Sequence, residues 1–547
     1  MREWNERAYL IAEKIHREVI SPPMSPARSI EQAGYVVDAI NRFYKMNEER
    51  KSYRQILKSS SIMGSAQGFN LVLGILRVKC VAWLIGPTGL GLLGIYNSIL
   101  NVASTASGLG INSSGVREVA EASGTGKTER VSCTIHALRR LCWLTGIIGG
   151  VLVALLSVPI SHLMFDSPAH AGQTALLGLS VLMGSIAAGQ MAMLQGMRRI
   201  TELAKVNIIS TLIATIAAIC YYWWLGLGGI IPALITLSAS MMVVSFLYAR
   251  KVQVEAVEMS WRDTFLTAKG LILLGIVFML TALMTALVEL CTISLIKGFV
   301  GIAAVGIYSA AMRLSGMFLN FILNAMGADF YPRLTEVSDD HQKMRALVNH
   351  QTEIGLLLAV PGLLATIVLA PWIITLFYTQ AFVESAELLQ WLIIGCLGRV
   401  ISWPMGFIVI AKGAGRMFLV LETLSHIAHL LLIWMGLQWL GLQGVAIAFC
   451  GLNLIYPLVV MRISRHLIDF RWSVAVKKLL MILLPLVLVA MLQSYYSSPV
   501  AATILGSLMT LVIGIYCLRE LCLRLGEDHA LVTKLGMIPG AGMFIRP

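Results

Sequence analysis

Runs of about 20 apolar residues recur along this chain, each closed by Gly, Pro or charged positions. Fourteen can be placed, at residues 60–85, 89–111, 141–164, 173–196, 205–225, 228–249, 270–296, 301–326, 353–377, 387–411, 417–440, 442–461, 479–496 and 500–518. A helix of that length spans a hydrocarbon core of about 30 Å. The pattern therefore predicts an all-α polytopic membrane protein with about 14 transmembrane helices. The first 55 residues break the pattern: they lack an apolar run, mix acids with bases, and hold "SPPMSP" between two short amphipathic stretches. They read as a soluble cytoplasmic extension. "MNEERKSYRQILKSSS", from Met46, already resembles a complete lead into the first helix, so translation from Met46 is an alternative start.

The apolar pattern repeats. "GPTGLGLLGIYNS" (Gly86–Ser98) and "GFVGIAAVGIYSA" (Gly298–Ala310) align at an offset of 212, sharing Gly86, Gly89, Gly94, Ile95 and Tyr96. A second anchor, "WLGLGGIIPA" from Trp224 against "WLGLQGVAIA" from Trp439, matches six of ten positions at offset 215. Two anchors with so small a drift indicate two six-helix halves in parallel orientation, followed by two extra helices. The implied division is a cytoplasmic extension at 1–55, an N-lobe at 56–250, a C-lobe at 251–470, two added helices at 471–520 and a cytoplasmic tail at 521–547. Such lobes enclose a cavity and rock to expose it to either side, which favours transport.

Composition agrees: 57% of residues are hydrophobic and 13% charged. The net charge of +13 first suggests nucleic acid or acidic lipid, but its distribution tells against nucleic acid. Arg117, Lys127, Arg130, Arg198, Arg199, Arg250, Lys251, Arg333, Lys343, Arg345, Lys412 and Arg416, and the stretch from Arg462 to Lys478, fall in alternate loops; the opposite loops hold Lys297. This positive-inside asymmetry places both termini in the cytoplasm. The nine cysteines form no CxxC pair and none lies in an outside loop, so no disulfide framework or zinc site is expected.

Arg77, Lys79, Glu289, Arg313 and Arg399 lie well inside the spans and sum to three positive charges. Charges at bilayer depth cost about 2.5–3.5 kcal/mol each on insertion scales, so they should face the interior. Gln67, Asn70, Gly74 and Arg77 share a helical stripe, as do Thr281, Thr285, Glu289 and Thr292. Asn97, Asn101, Ser104 and Gly108 correspond to Ser309, Arg313, Gly316 and Asn320 in the second copy. Arg77 and Glu289 are equivalent at offset 212; a simple ion pair between lobes would leave Arg313 and Arg399 without an acid, which favours an anionic ligand. Lys79 is expected to snorkel outward. Glu422, Ser425, His426 and His429 lie within two turns; a metal site, a proton relay and plain interhelical contacts are alternatives, the last being the default. Glu289 is the candidate for coupling to protons or sodium. Asp329 and Arg333 are gate candidates where the eighth helix leaves the membrane, although a helix end turning at Pro332 is the simpler reading. Gly86 and Gly298 suit close packing or a turn rather than a phosphate cradle, since no GxxxxGK[ST] follows.

The stretches "IGPTGLGLLGIYNSILNVASTASGLGINSSGVREVAE" and "MGADFYPRLTEV" resemble Wzx-type polysaccharide flippases, also called O-antigen translocases, of the multidrug/oligosaccharidyl-lipid/polysaccharide (MOP) superfamily. The likeness covers about residues 56–470. It implies an inner-membrane flippase that carries undecaprenyl-pyrophosphate-linked oligosaccharide to the periplasmic leaflet by alternating access. No cofactor is implied; drive would come from protons, sodium or the membrane potential. Implied substrate-binding residues are Arg77, Arg313 and Arg399, with Asn70 and Asn101 on the polar faces that accommodate sugar. Implied partners are the lipid-linked glycan, the bilayer, and polysaccharide polymerase and chain-length proteins. Fourteen helices depart from the 12 common in O-antigen flippases and match lipid II flippases. A lipid II-type flippase and a multidrug/toxin exporter of the same fold are alternatives, though multidrug exporters favour acidic cavities. A polymerase or ligase would need large outside loops and an acid/base or nucleophile constellation, and neither is visible here.

Overall fold

Inside a bilayer every backbone N–H and C=O must find a partner within the chain, and an apolar run of 20 or more residues does so as a helix. The computed structural model describes residues 68–70, 73–124, 128–252, 259–496 and 499–525, and among them the regular structure is helical throughout. The helices are α1 (73–107), α2 (Ile111–Gly124), α3 (Thr128–Leu155), α4 (Ser157–Phe165), α5 (Ala171–Gly196), α6 (Ile200–Leu225), α7 (Ile230–Ala249), α8 (Trp261–Phe299) and α9 (Ile302–Glu336). They continue with α10 (His341–Phe377), α11 (Ser385–Ala411), α12 (Gly415–Leu440), α13 (Leu442–Ile468), α14 (Val474–Tyr496) and α15 (Pro499–Leu525). Eleven helical stretches among the described residues are long and apolar enough to cross a membrane. One of them, Ile200–Ala249, is 50 residues long; it divides at Gly226, where φ is 54°. The extension at 1–55 and the alternative start at Met46 lie outside the described residues.

Several helices outrun the apolar windows. α8 begins nine residues before the expected 270, because the Ser260 side chain accepts from the Asp263 amide (3.1 Å) while Asp263 accepts from the Ser260 amide, a reciprocal capping box. α10 begins at His341 rather than 353, capped by the Asp340 carboxylate, which accepts from the amides of Gln342 and Lys343 at 3.0 Å each. The Lys343 amide, foremost, holds that carboxyl below its ordinary value of 3.8. α9 runs through Pro332 to Glu336, so the expected turn at Pro332 does not occur. α15 continues to Leu525, making the first residues of the expected tail helical.

The two copies of the repeated segment meet each other. Gly86 leaves the right-handed helical region at φ 62°, and the turns that follow lie against the start of α9. A Cβ on Gly91 would stand 1.9 Å from the Ile302 carbonyl oxygen, and one on Gly306 would stand 2.0 Å from that of Pro87. No side chain fits, so glycine is what permits the crossing. At the other end of α1, a Cβ on Gly110 would stand 2.0 Å from the Gly275 carbonyl oxygen of α8. The 19 residues from Gly91 to Gly110 correspond to roughly 30 Å of helix rise, so the chain's first and second halves touch at both ends of the bundle.

Side chains reinforce both ends. Beside the Gly91–Gly306 crossing, Lys297 pairs with Asp166, and Lys79 donates to the Thr375 carbonyl at 2.6 Å. Lys79 thus satisfies an orphan carbonyl in the last turn of α10. At the far end, Arg140 donates to the Met259 carbonyl (2.7 Å) and Thr264 Oγ1 (2.8 Å), its guanidinium 5.3 Å from the centre of the Trp261 ring. The last two helices lean on α10: Trp372 Nε1 donates to Thr503 Oγ1 (3.0 Å), and buried Glu353 accepts from Arg524 Nε (3.1 Å) and Ser473 Oγ (2.9 Å).

Candidate functional site

A cavity of about 690 Å³ lies among α1, α8, α9, α11, α12 and α13. Helical periodicity puts its chemistry there: residues three and four apart share a face. α8 contributes Thr285, Glu289 and Thr292; α9 contributes Ser309 and Arg313; α11 contributes Arg399, Trp403 and Phe407, each one turn from the next. α12 brings Phe418, Glu422, Ser425, His426 and His429, and α13 brings Phe449, Asn453 and Tyr456. From α1 comes Asn97. Arg399 is exposed within a stretch, 392–400, whose other residues are all buried, so its side chain has the cavity as its open side.

A second, smaller pocket of about 100 Å³ adjoins the first; Val78, Leu90, Leu93, Asn97 and Arg313 line both. Arg77 and Tyr222 line the smaller pocket alone. Among the described residues no carboxylate borders it. Among the described residues, the guanidinium groups of Arg77, Arg313 and Arg399 make no hydrogen bond or ion pair with protein.

The sequence-derived candidates divide accordingly. Arg313, Arg399 and Glu289 line the large cavity, and Arg77 reaches the small pocket. Arg77 does not pair with Glu289; instead Glu289 Oε2 accepts from Asn101 Nδ2 at 3.1 Å, an exposed contact between α1 and α8, and Asn101 itself is not among the cavity-lining residues. Asn70 lines neither space, and its Oδ1 is buried without a partner. Arg333 is exposed in the last turn of α9, away from both spaces, while the side chain of Asp329 lies outside the described residues.

Glu422 changes the charge balance. Its carboxylate accepts from the Tyr456 hydroxyl at 2.6 Å, an interhelical contact between α12 and α13, and it also lines the cavity. Among the described residues the large cavity is therefore lined by two guanidiniums, two carboxylates and two imidazoles, whereas the charged groups of the small pocket are both cationic. Among the described residues no three His, Cys, Asp or Glu side chains gather as a metal site. Sequence reasoning also missed the aromatic wall of Trp403, Phe407 and Phe418. For Trp403 and Phe407 the four-residue spacing from Arg399 is the available signal; Phe418, on α12, carries none.

A family described as polysaccharide biosynthesis protein matches residues 80–387. A lipid III flippase of Escherichia coli (strain K12) is 25% identical over 399 residues, covering 70% of this chain and 92% of that protein. Among solved structures, the lipid II flippase MurJ in an inward closed conformation superposes with a TM-score of 0.64 at 15% identity, covering 84% of this chain and 100% of the other. An inward-facing multidrug resistance transporter of the MATE family, in the MOP superfamily, gives 0.58 at 17% identity, with 74% and 96% covered. These likenesses assign a MOP-type fold.

Proposed function

Since the chain belongs to the polysaccharide biosynthesis protein family, we propose that it is a flippase that moves an undecaprenyl-pyrophosphate-linked oligosaccharide across a bacterial inner membrane by alternating access. The observation that carries this reading is the pair of guanidiniums, Arg77 and Arg313, which among the described residues have no partner and border a pocket with no acid. Planar guanidinium forks match phosphate oxygens, and a pyrophosphate supplies the missing counter-charge. Arg399 adds a third cation from α11. The similarity to a lipid III flippase over 70% of this chain and 92% of that protein supports a lipid-linked glycan as cargo, and the reaction is transport rather than catalysis.

The finer architecture belongs to the same proposal. Residues 68–107 and 200–249 each contribute two crossings, and α9 supplies one through its shorter apolar part, Ile302–Met317. Counted so, the chain crosses 14 times, as lobes at 56–250 and 251–470 and two added helices, with both termini cytoplasmic. The Gly91–Gly306 crossing and Lys297 then face the periplasm, and the Arg140 contacts face the cytoplasm. Glu289 is the coupling group, and Asp329 with Arg333 forms a cytoplasmic gate. A polymerase and chain-length proteins receive the product.

In cells depleted of the protein, the undecaprenyl-linked lipids should accumulate as a finished oligosaccharide-pyrophosphate lipid on the cytoplasmic leaflet, measured by leaflet-resolved lipid analysis. Two carboxylates in an aromatic-walled cavity favour a second reading, export of organic cations. An unchanged lipid pool with raised drug sensitivity would establish that reading and overturn the first.

A further inference from the structure

We infer that the wall formed by α11, α12 and α13 is the glycan-recognition surface, with Trp403, Glu422, Asn453 and Tyr456 deciding which sugar is carried; this deepens the flippase reading and rests on it. The two connected spaces differ in chemistry. Among the described residues the small pocket offers two unpartnered guanidiniums and no acid, and at about 30 Å³ per water it has room for about three waters, a compact charged group rather than a sugar chain. The large cavity, at about 690 Å³, lies within the range of sites that enclose sizeable ligands. It mixes aromatic faces with acceptor oxygens. A phosphate placed against Glu422 and Glu289 would meet like charge; a sugar there would not.

The wall fits a polyhydroxylated ring. A sugar presents an apolar C–H face and a rim of hydroxyl donors. Trp403 is a flat platform for the former, held by Phe330 stacked at 5.9 Å and by Phe407 edge-on at 4.8 Å. A platform fixed in advance costs less to order when ligand arrives. Glu422 engages Tyr456 through Oε1, leaving Oε2 for a charge-assisted bond to sugar hydroxyls. Asn453 spends its Nδ2 on the Phe449 carbonyl (2.8 Å), leaving Oδ1 as an acceptor. Arg399, one turn before Trp403, supplies donors beside these acceptors. The cargo then lies in one orientation, pyrophosphate toward α1 and α7, glycan toward α11–α13.

Binding to the full-length protein in nanodiscs tests this, with undecaprenyl pyrophosphate and a panel of its derivatives bearing single hexoses or N-acetylhexosamines as probes. The wild type should hold at least one glycosylated probe about ten-fold tighter than the bare lipid. Trp403→Ala and Glu422→Gln should each bring that ratio down about five- to ten-fold, the scale of one ordinary hydrogen bond or aromatic contact. Trp403→Phe should recover part of the ratio, which separates loss of the platform from misfolding. Arg77→Gln, in the small pocket alone, should weaken bare and glycosylated probes by the same factor. A ratio unchanged in both Trp403→Ala and Glu422→Gln, or no preference in the wild type across the panel, overturns the inference while leaving the flippase reading intact. Failure of bare undecaprenyl pyrophosphate to bind the wild type overturns the flippase reading, and this inference with it.

Discussion

Arg313 borders both the large cavity and the small pocket, so one guanidinium connects the two chemical environments. Replacing it with Gln should lower transport at least ten-fold in a leaflet assay. Arg313→Lys should restore only part, because an ammonium keeps the charge but loses the fork. Glu289 lies opposite in charge and is held by Asn101. As the coupling group, it predicts that Glu289→Gln transports at a rate that no longer responds to the ion gradient; unaltered gradient dependence would remove Glu289 from that role. The cationic members of the site were legible in the sequence because a charge inside an apolar run is conspicuous. Glu422 is visible there too, with interhelical contact as the default among three alternatives, since spacing alone does not say whether a polar face meets a neighbour or a void. It does both. The aromatic residues were harder to read: Trp403 and Phe407 look like any apolar positions until the cavity beside them is known.

At the scale of elements, glycines govern the crossing of α1 and α9. Gly306→Leu must push α9 away from the Pro87 carbonyl, and such overpacking costs about 1–3 kcal/mol. Thermal unfolding in detergent should register the loss, and Gly306→Ala should show a smaller one. The C-terminal pair of helices depends on a different contact. Arg524→Ala strands the buried Glu353 carboxylate, an expected destabilisation of roughly 2–3 kcal/mol, below the figure for a fully buried pair because Arg524 is partly exposed. Proteolysis should then release α14 and α15 before the rest of the bundle. The existence of these helices could be read from hydropathy, but their ends could not. Hydropathy follows the hydrocarbon slab, whereas a helix stops where its terminal amides and carbonyls find other partners; Ser260 and Asp340 supply those partners nine or more residues outside the slab. Pro332 is tolerated near the end of α9 for a related reason. Only one hydrogen bond is lost there, and few turns remain to be disrupted.

For the whole molecule, the duplicated glycine segment is where one half of the chain meets the other. The sequence revealed the duplication; it could not reveal that the copies touch, since contact between distant segments depends on the path of every intervening helix. The halves are tied near Gly306 by Lys297 and Asp166, and at the opposite end by Arg140 with Met259 and Thr264. A cavity of about 690 Å³ has room for about twenty waters at liquid density. On the proposed topology these ties, together with the glycine crossings beside them and the Lys79 bond to Thr375, would close the cavity at its two ends and so insulate the membrane electrically. Lys297→Ala or Arg140→Ala alone should bias the protein toward one face without short-circuiting it. The double variant should discharge a potassium diffusion potential in proteoliposomes, read with a voltage-sensitive dye, because water and ions would then have a continuous path from one compartment to the other.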